Sequence, residues 1–210
     1  MPRIFKNANS KFVEGNFKSI KQKSPSPKRK DYEKRAVTKM NNKTIKCGYI
    51  NPDNNVRCKL ELGLYPKYCS LHTMLIENLY IEKSNIKNAG NGLFVGPYGF
   101  KKGDIIGKYS YPHNKVSLET LEKRCKKEKC WDYIFCDITN DKTQNNKKVK
   151  CWDGLDLRST IIRNINDARN SKFRNNSYFE IINGDVYARA SRNIKPFSEI
   201  FISYGSKYWN

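Results

Sequence analysis

The chain lacks a long apolar segment. No run reaches the roughly 18 consecutive apolar residues that a membrane-spanning helix needs, so no membrane association is expected. The first residues, MPRIFKNANSKF, contain no apolar signal core, and we therefore expect no secretion. No internal repeat is visible. At 210 residues the chain is long enough for one good core and a small appendage.

Acidic residues are scarce relative to basic ones. The sequence has 41 Lys or Arg against 20 Asp or Glu, which gives a formal net charge of +21 and a pI near 9.7. So many like charges favour a polyanionic partner, and the expected one is nucleic acid or a nucleosome. A solubility device and a compositional bias toward Lys and Asn remain alternative explanations.

The charge is densest at the start of the chain. Residues 1–46 carry 14 Lys or Arg and three acids, a net charge of 14 − 3 = +11. Little in this segment is apolar, so it cannot bury enough surface to offset its ordering entropy. We predict a disordered basic arm that contacts DNA phosphates, serves as a nuclear address, or does both. A solvated linker without such a role is the alternative.

Four potential metal ligands follow the arm. Cys47, Cys58, Cys69 and His72 have the spacing C-x10-C-x10-C-x2-H. Zinc binds four such ligands in a tetrahedron, and about 30 residues need a metal to supply folding energy. We predict a small Cys3His zinc module over residues 47–78; scattered buried thiols with a surface His are the alternative. The other cysteines (125, 130, 136 and 151) are expected to be reduced, as apolar fillers or exposed thiols.

From Leu79 onward the pattern favours short strands. LYIEKS, DIIGKYSY (104–111), WDYIFCDI (131–138) and EIFISYG all read as strands. YFEIING and DVYARASRNI flank an Asn-Gly-Asp turn, which is typical of a β-hairpin. SLETLEKRCKK (117–127) has Leu118, Leu121 and Cys125 on one helical face. The predicted fold is therefore mostly β with short helices.

Three motifs contain residues suited to ligand binding or catalysis. The glycines of NAGNGLF (88–94) allow close approach to a ligand or make an ordinary hairpin turn. In RNIND (163–167), the Asn166 amide can donate and accept at once, and Arg163 can pair with a carboxylate; an ordinary polar loop is equally open. In ISYGSKYW, Tyr204 either staples the core or aims its hydroxyl into a cleft.

The three motifs occur in this order within about 120 residues, and together they resemble the SET domain of protein-lysine methyltransferases. The chain is most similar to compact virus-encoded members, which also end soon after an ISYG-x-x-YW segment. The resemblance covers residues 79–210. It implies a β-clip type fold in which the C-terminal stretch threads under a loop as a pseudoknot, an exception to unthreaded topology.

The resemblance also implies the site. S-adenosyl-L-methionine would bind at the Gly turn, at the Tyr of the DYIF strand and at the Asn motif, and Tyr204 would lie beside the transferred methyl. Asp167 stands where the family has His, and Asn91 stands where it has an aromatic residue. No Cys-rich segment follows the last motif, so Tyr208 and Trp209 would close the lysine channel. The implied catalytic residues are Tyr204, Tyr133 and Tyr208, and the implied cofactor-binding residues are Ala89, Gly90, Asn91, Gly92, Tyr133, Arg163, Asn166, Asp167, Tyr204 and Trp209.

The implied function is S-adenosylmethionine-dependent lysine methylation, with histone tails in chromatin as the expected substrate. A strongly basic enzyme repels a basic peptide, so anchoring on nucleosomal DNA is favoured. The alternatives are a non-catalytic chromatin or DNA-binding protein with a degenerate SET core, motivated by Asn91 and Asp167, and methylation of a non-histone protein. A nuclear or chromatin location is expected, in the host nucleus or a viral compartment if the gene is viral. Homodimer formation is left open.

Overall fold

The computed structural model of the protein describes residues 5–6, 12–13, 46–109, 115–128, 134–137, 150–154 and 160–205. In these ranges the protein is mostly β with two α-helices, as the sequence predicts. The helices are α1 (Ser70–Glu77) and α2 (Leu118–Glu128), and a 3-10 helix spans Ile161–Asn164. The strands are β1 (Phe5–Lys6), β2 (Phe12–Val13), β3 (Leu79–Lys83), β4 (Asn91–Val95), β5 (Ile105–Lys108), β6 (Lys115–Ser117), β7 (Ile134–Asp137), β8 (Lys150–Asp153), β9 (Ser177–Ile182), β10 (Asp185–Ala190) and β11 (Glu199–Ile200).

The strands form small antiparallel sheets. One sheet has the order β11-β4-β3, a second β5-β10-β9 and a third β6-β8-β7. In the first sheet, β4 is central and pairs with β3 from Leu79↔Val95 to Lys83↔Asn91. The Gly turn therefore lies at the Asn91 end of β4, and residues 95–99 leave from the opposite end.

The β9–β10 hairpin forms where the Asn-Gly turn predicts it. Ile182 pairs with Asp185, so Asn183 and Gly184 alone make the connection. Both have positive φ, 51° and 78°, which is the geometry that Asn-Gly favours in two-residue hairpins. Buried and partly exposed residues alternate along β10, so one face of the hairpin packs on the core.

The main core is built from all three larger sheets and the 3-10 helix. Phe135 lies at its centre, with its ring edge-on to Trp152 at 5.6 Å and to Phe179 at 5.3 Å between centroids. Such edge-to-face pairs add to the stabilisation from burial alone. Helix α2 also buries Leu121 and Cys125, as its apolar face predicts.

The segment predicted as one C-terminal strand, EIFISYG, is divided between partners. Glu199 and Ile200 pair with β4 as the short strand β11. Beyond it, Phe201 forms a parallel bridge with Asn166, and Ile202 forms one with Ser177. The prediction of a single seven-residue strand is wrong, because the chain changes hydrogen-bonding partners after two residues and passes beside the Asn166 loop.

Two cysteines expected to be reduced are joined. Cys136 and Cys151 form a disulfide with an S–S distance of 2.01 Å, and Cys125 is also disulfide-bonded. The expectation of reduced thiols is wrong for these residues. Residues 136 and 151 lie directly opposite each other in the β7–β8 register, with their Cα atoms 4.0 Å apart. Linear spacing does not reveal such a cross-strand pair.

The predicted basic arm lies mostly outside the described residues. Within it, β1 and β2 pair antiparallel, Phe5 with Val13 and Lys6 with Phe12, so these four positions have regular backbone structure rather than the predicted disorder. For the rest of residues 1–45 the arm stays a prediction. Among the described residues, no helix combines the length and apolar character that crossing a membrane requires.

Candidate functional site

Tyr204 is held against the loop that contains Asn166. Its hydroxyl donates to the carbonyl oxygen of Ile165 at 2.6 Å, and its backbone N–H donates to the Asp167 carboxylate at 2.8 Å. Two residues earlier, the Ile202 N–H donates to the carbonyl oxygen of Asn166 at 2.9 Å. The structure therefore brings together the second and third sequence motifs, and fixes both the backbone and the phenol of Tyr204.

Asn166 connects that loop to the Gly turn. Its side chain is buried, and Nδ2 donates to the carbonyl oxygen of Asn91 at 3.0 Å and to Glu199 Oε1 at 3.3 Å. Its donor group is directed at protein atoms, so Asn166 joins three segments of the site. The cofactor-binding role that the resemblance implies for Asn166 stays a prediction.

Glu199 is the member of this site that the sequence analysis missed. Its side chain is only 3% exposed. It accepts from the Ser84 hydroxyl at 2.6 Å and from the backbone N–H of Asn85 at 2.7 Å, besides the bond from Asn166. Since a buried carboxylate is costly without donors, these bonds explain how it is tolerated. The available signal was an acidic residue inside an otherwise apolar strand.

The Gly turn is fitted closely around Glu199. A Cβ added at Gly92 would lie 2.2 Å from Glu199 Oε1, so only glycine fits there. Elsewhere in the turn Gly90 has a φ of 75° and Ala89 is partly exposed. Ser84 N–H donates to the carbonyl oxygen of Gly90 at 2.9 Å, which closes the turn. Gly92 thus has a packing role, whereas Ala89 and Gly90 lie on the accessible side.

Asp167 orders the loop that follows the Asn motif. Its Oδ1 accepts from the Arg169 N–H at 2.9 Å and from Asn175 Nδ2 at 3.2 Å, while Oδ2 binds the Tyr204 N–H. The side chain is 7% exposed. By accepting from these three donors, the Asp167 carboxylate links the loop after the Asn motif to the segment that contains Tyr204. Arg163 has a comparable bridging contact, from Nη1 to the Gly154 carbonyl oxygen at 3.2 Å.

Three predicted site residues lie outside the described part of the chain. They are Tyr133, Tyr208 and Trp209. Their assignment to the cofactor site and the lysine channel stays a prediction.

The four predicted metal ligands come together in a separate cluster. The candidate ligand atoms of Cys47, Cys58, Cys69 and His72 all lie within 4.8 Å of one another. His72 Nδ1 is 3.5 Å from the Cys47 sulfur and 3.2 Å from the Cys69 sulfur. Three sulfurs and one imidazole nitrogen at this separation form a donor set that could hold a tetrahedral metal such as zinc.

Local backbone structure explains why these ligands converge. Residues 46–61 form a hairpin in which Cys47 N–H donates to Leu60 and Cys58 N–H donates to Tyr49, at 2.8 and 2.9 Å. Cys69 is the N-cap of α1, so His72 follows it within one helical turn. The Tyr49 ring stacks on His72 with a centroid distance of 3.9 Å, which limits the orientation of the imidazole.

The thiols of this cluster differ in their electrostatic environments. Burial alone would raise the pKa of Cys47, but hydrogen bonds from the backbone of Cys69 and Tyr49 bring that pKa below its usual value. Burial raises the pKa of Cys69. The Cys69 N–H lies 3.2 Å from the Cys47 sulfur, and such N–H donors favour the thiolate, the form that binds metal.

One protein-family model matches the chain, and several solved structures are similar to it. The SET-domain profile matches residues 98–205, just over half of the chain, and no curated protein sequence matches. The methyltransferase domain of human PR domain-containing protein 2 is similar at 16% identity and a TM-score of 0.44, covering 65% of this chain and 84% of that one. CpSET8 from Cryptosporidium is 20% identical with a TM-score of 0.44, covering 61% and 57%. Chaetomium thermophilum ctPRC2, autoinhibited and bound to S-adenosylmethionine, is 20% identical with a TM-score of 0.45, covering 63% and 16%.

Proposed function

Since this chain belongs to the SET-domain family, we propose that it transfers a methyl group from S-adenosyl-L-methionine to the side-chain nitrogen of a protein lysine. The observation that carries the proposal is the 2.6 Å contact between the Tyr204 hydroxyl and the Ile165 carbonyl oxygen. Two oxygen atoms on different segments converge there, beside the Asn motif and within reach of the Gly turn through Asn166.

These residues fit a methyl donor in their chemistry. When bound, S-adenosylmethionine would supply a methyl carbon attached to a positively charged sulfur. A hydroxyl that donates to Ile165 still has acceptor lone pairs, so the Tyr204 and Ile165 oxygens can both face a polarised C–H group. Ala89 and Gly90, on the accessible side of the Gly turn, would contact the donor through backbone. Glu199 and Asn166 would hold that backbone in place.

The lysine substrate needs alignment and a dry environment more than a strong base. A lysine amine has a reference pKa of about 10.4 and is charged in water near pH 7. Burial in an apolar channel, and a neighbouring positive charge, both lower the pKa of such an amine. The enzyme then has to orient the neutral nitrogen, and orientation of this kind contributes about 7–11 kcal/mol in intramolecular reactions. Tyr204 would be the main positioning hydroxyl, with Tyr133 and Tyr208 as walls.

The proposed substrate is a histone tail within a nucleosome. The net charge of +21 supports a polyanionic anchor, because a basic enzyme attracts DNA and repels a free basic tail. The basic arm would bind nucleosomal DNA, and the location would be nuclear or chromatin-associated. The disulfide between Cys136 and Cys151 is uncommon for reducing compartments, so the thiol state of the protein recovered from cells tests this location.

The decisive experiment is mass spectrometry of nucleosomes incubated with the protein and S-adenosylmethionine, beside free histones, a basic non-histone protein and DNA alone. A mass increase of one or more methyl groups on a histone lysine supports the proposal. Methylation of another basic protein but not of histones would support the non-histone alternative. No methyl transfer to any of these proteins, with methyl-donor binding intact, would contradict lysine methylation.

A non-catalytic chromatin or DNA-binding protein with a degenerate SET core is the second candidate. It is favoured by the Asn166 amide, whose Nδ2 donates to Asn91 and Glu199. Asp167 and Asn91 also differ from the residues expected in the family. Isothermal titration with S-adenosylhomocysteine separates the two candidates, because a degenerate core would not bind this product.

We further propose that the Cys3His cluster holds a structural zinc ion. Four protein ligands would complete the coordination sphere, as structural zinc sites require. The hairpin of residues 46–61 has several exposed apolar side chains, including Ile50, Val56 and Leu60, so it has little apolar burial of its own. Metal analysis of protein purified without added metal should give about one zinc per chain.

The homodimer is tested by light scattering during size-exclusion chromatography.

A further inference from the structure

Phe197 has an unusual backbone conformation for an exposed aromatic residue. Its φ is 58°, in the left-handed region that side chains disfavour and glycine adopts easily. The side chain is 61% exposed, so core packing does not account for a large residue there. Strain of this kind in a well-defined turn often accompanies a functional role. The exposed ring itself is the candidate for that role.

A second exposed ring lies on the neighbouring turn. Tyr98 is 75% exposed. The two turns are joined through their backbones: Phe197 N–H donates to the Val95 carbonyl oxygen at 3.0 Å, and Phe100 and Ile194 exchange hydrogen bonds of 2.9 and 2.8 Å. Two large aromatic side chains therefore extend into solvent from adjacent, hydrogen-bonded turns.

The turn that carries Tyr98 is fixed by the end of α1. Asn78, the C-cap of this helix, accepts from the Tyr98 N–H through Oδ1 at 3.1 Å and donates to the Gly99 carbonyl oxygen through Nδ2 at 2.9 Å. Such fixed backbone lowers the entropy lost when a partner binds the ring. The ring of Tyr98 is thus presented from a preorganised position.

The two turns that carry the rings have a positive net charge, and one exposed acid, Asp104, borders them and accepts from the Lys101 N–H at 2.7 Å. Residues 97–103 and 191–198 contain no Asp or Glu, and their four cations are all exposed or partly exposed. The two segments also meet through the Lys102 N–H, which donates to Asn193 Oδ1 at 2.8 Å. In contrast to Lys108, which pairs with Asp185 at 2.8 Å, none of these four pairs with a carboxylate of the described residues. The four are Lys101, Lys102, Arg192 and Lys195.

We propose that these six residues, the aromatic-basic surface, bind single-stranded nucleic acid. Exposed rings offer stacking platforms to unpaired bases, while the cations around them neutralise phosphates. Bases in a duplex are already stacked and cannot use the rings in this way. The surface lies at the Val95 end of β4, about 13 Å from Asn91 at the other end. The proposal therefore does not rest on the proposed methyl transfer.

Phe197→Gly is the sharpest test of this surface. Glycine removes the ring and accepts a φ of 58° without strain, so the melting temperature should stay the same or rise. Fluorescence anisotropy with 20-nucleotide single strands of DNA and RNA should show affinity at least about fivefold weaker. The measurement is made on the full chain at raised salt, which weakens the phosphate contacts of the basic arm more than it weakens stacking. Tyr98→Ala should act in the same direction.

The cations are tested by a matched pair of triple variants. Replacing Lys101, Lys102 and Lys195 by Ala should weaken single-strand binding. The slope of log affinity against log salt concentration should become shallower by about 0.7 for each phosphate that is no longer neutralised. The control replaces Lys59, Lys83 and Lys87 by Ala. These lysines are also exposed, and replacing them removes the same charge. Equal weakening in both variants, tighter binding of duplex than of single strands, or unchanged binding by Phe197→Gly would each overturn the proposal. The proposal would also be overturned if light scattering showed that the main effect of Phe197→Gly is loss of self-association. That result would assign the surface to contact with a second copy of the chain.

Discussion

The Tyr204 hydroxyl donates its hydrogen bond to the carbonyl oxygen of Ile165, 39 residues earlier in the chain. Ile165 immediately precedes Asn166. Asp167, which follows Asn166, accepts a hydrogen bond from the Tyr204 N–H. The tyrosine is thus fixed at two nearby positions of one loop. Its orientation therefore depends on this loop as well as on the residues that flank it in the chain.

Tyr204→Phe removes this hydroxyl and keeps the ring. If the proposed function is right, methylation should fall at least about tenfold, which corresponds to about 1.4 kcal/mol of activation free energy. Stability should fall by only about 1 kcal/mol, the usual net contribution of one hydrogen bond. Initial rates on nucleosomes and a urea unfolding curve measure the two effects.

Tyr178→Phe is the matched control for that variant, because Tyr178 lies partly exposed on β9. Methylation by this control should equal that of the wild type. Unchanged turnover by Tyr204→Phe would remove the hydroxyl from the positioning role.

Glu199→Gln tests whether one buried carboxylate supports the whole Gly turn. The charged acceptor binds Ser84, Asn85 and Asn166, and an amide cannot accept as many bonds at the same position. We expect a loss of stability of about 1.5–3 kcal/mol and weaker binding of S-adenosylhomocysteine, measured by urea unfolding and calorimetry. Glu82→Gln, on an exposed position of β3, should change neither. Full stability and full affinity in Glu199→Gln would show that the turn holds without the carboxylate.

Gly92→Ala introduces a steric conflict at the same point. Its methyl group would lie 2.2 Å from Glu199 Oε1, so Glu199 or β4 must move. A loss of about 1–3 kcal/mol is expected from such overpacking. Gly63→Ala is the comparison: its φ is 57° but nothing lies within 4 Å of the added carbon, so it should lose only the backbone strain of about 1–2 kcal/mol. A smaller effect at residue 92 than at residue 63 would contradict the close fit.

Metal removal should unfold the region before β3 without abolishing the core fold. Chelation should release about one zinc per chain from the wild type, and Cys69→Ser, which lacks one of four ligands, should contain less zinc. Both changes should lower the melting temperature. Zinc release is followed with a colorimetric chelator and folding by circular dichroism. Lys59→Ala, a non-ligand between Cys58 and Cys69, should retain the metal. A metal-free wild-type protein with an unchanged melting temperature would rule out a structural ion.

Features encoded over a short distance in sequence were predictable. Asn183-Gly184 makes the expected two-residue hairpin because the required φ values suit these residues. Helix α2 follows from the spacing of Leu121 and Cys125. The convergence of the four candidate metal ligands also follows from spacing, since Cys69, the N-cap of α1, and His72 lie within one helical turn.

Features that depend on distant partners were not predictable. The bond between Ser84 and Glu199 spans 115 residues and that between Asn166 and Asn91 spans 75, so neither residue's neighbours determine its role. The disulfide between Cys136 and Cys151 depends on strand register, which irregular cysteine spacing does not encode. The end of β11 after Ile200 likewise reflects competition among β4, Asn166 and Ser177 for one segment.

That segment has a consequence for the order of events during biosynthesis. Residues 199–204 bond to Ser84, Asn166 and Ser177, which all leave the ribosome earlier. A nascent chain that ends before residue 199 lacks Glu199, which supports the Gly turn. It also lacks the Tyr204 phenol, which bonds to Ile165. Contacts of such long sequence separation also form slowly. If the proposed site binds a ligand, it should therefore do so only after residues 199–204 have left the ribosome.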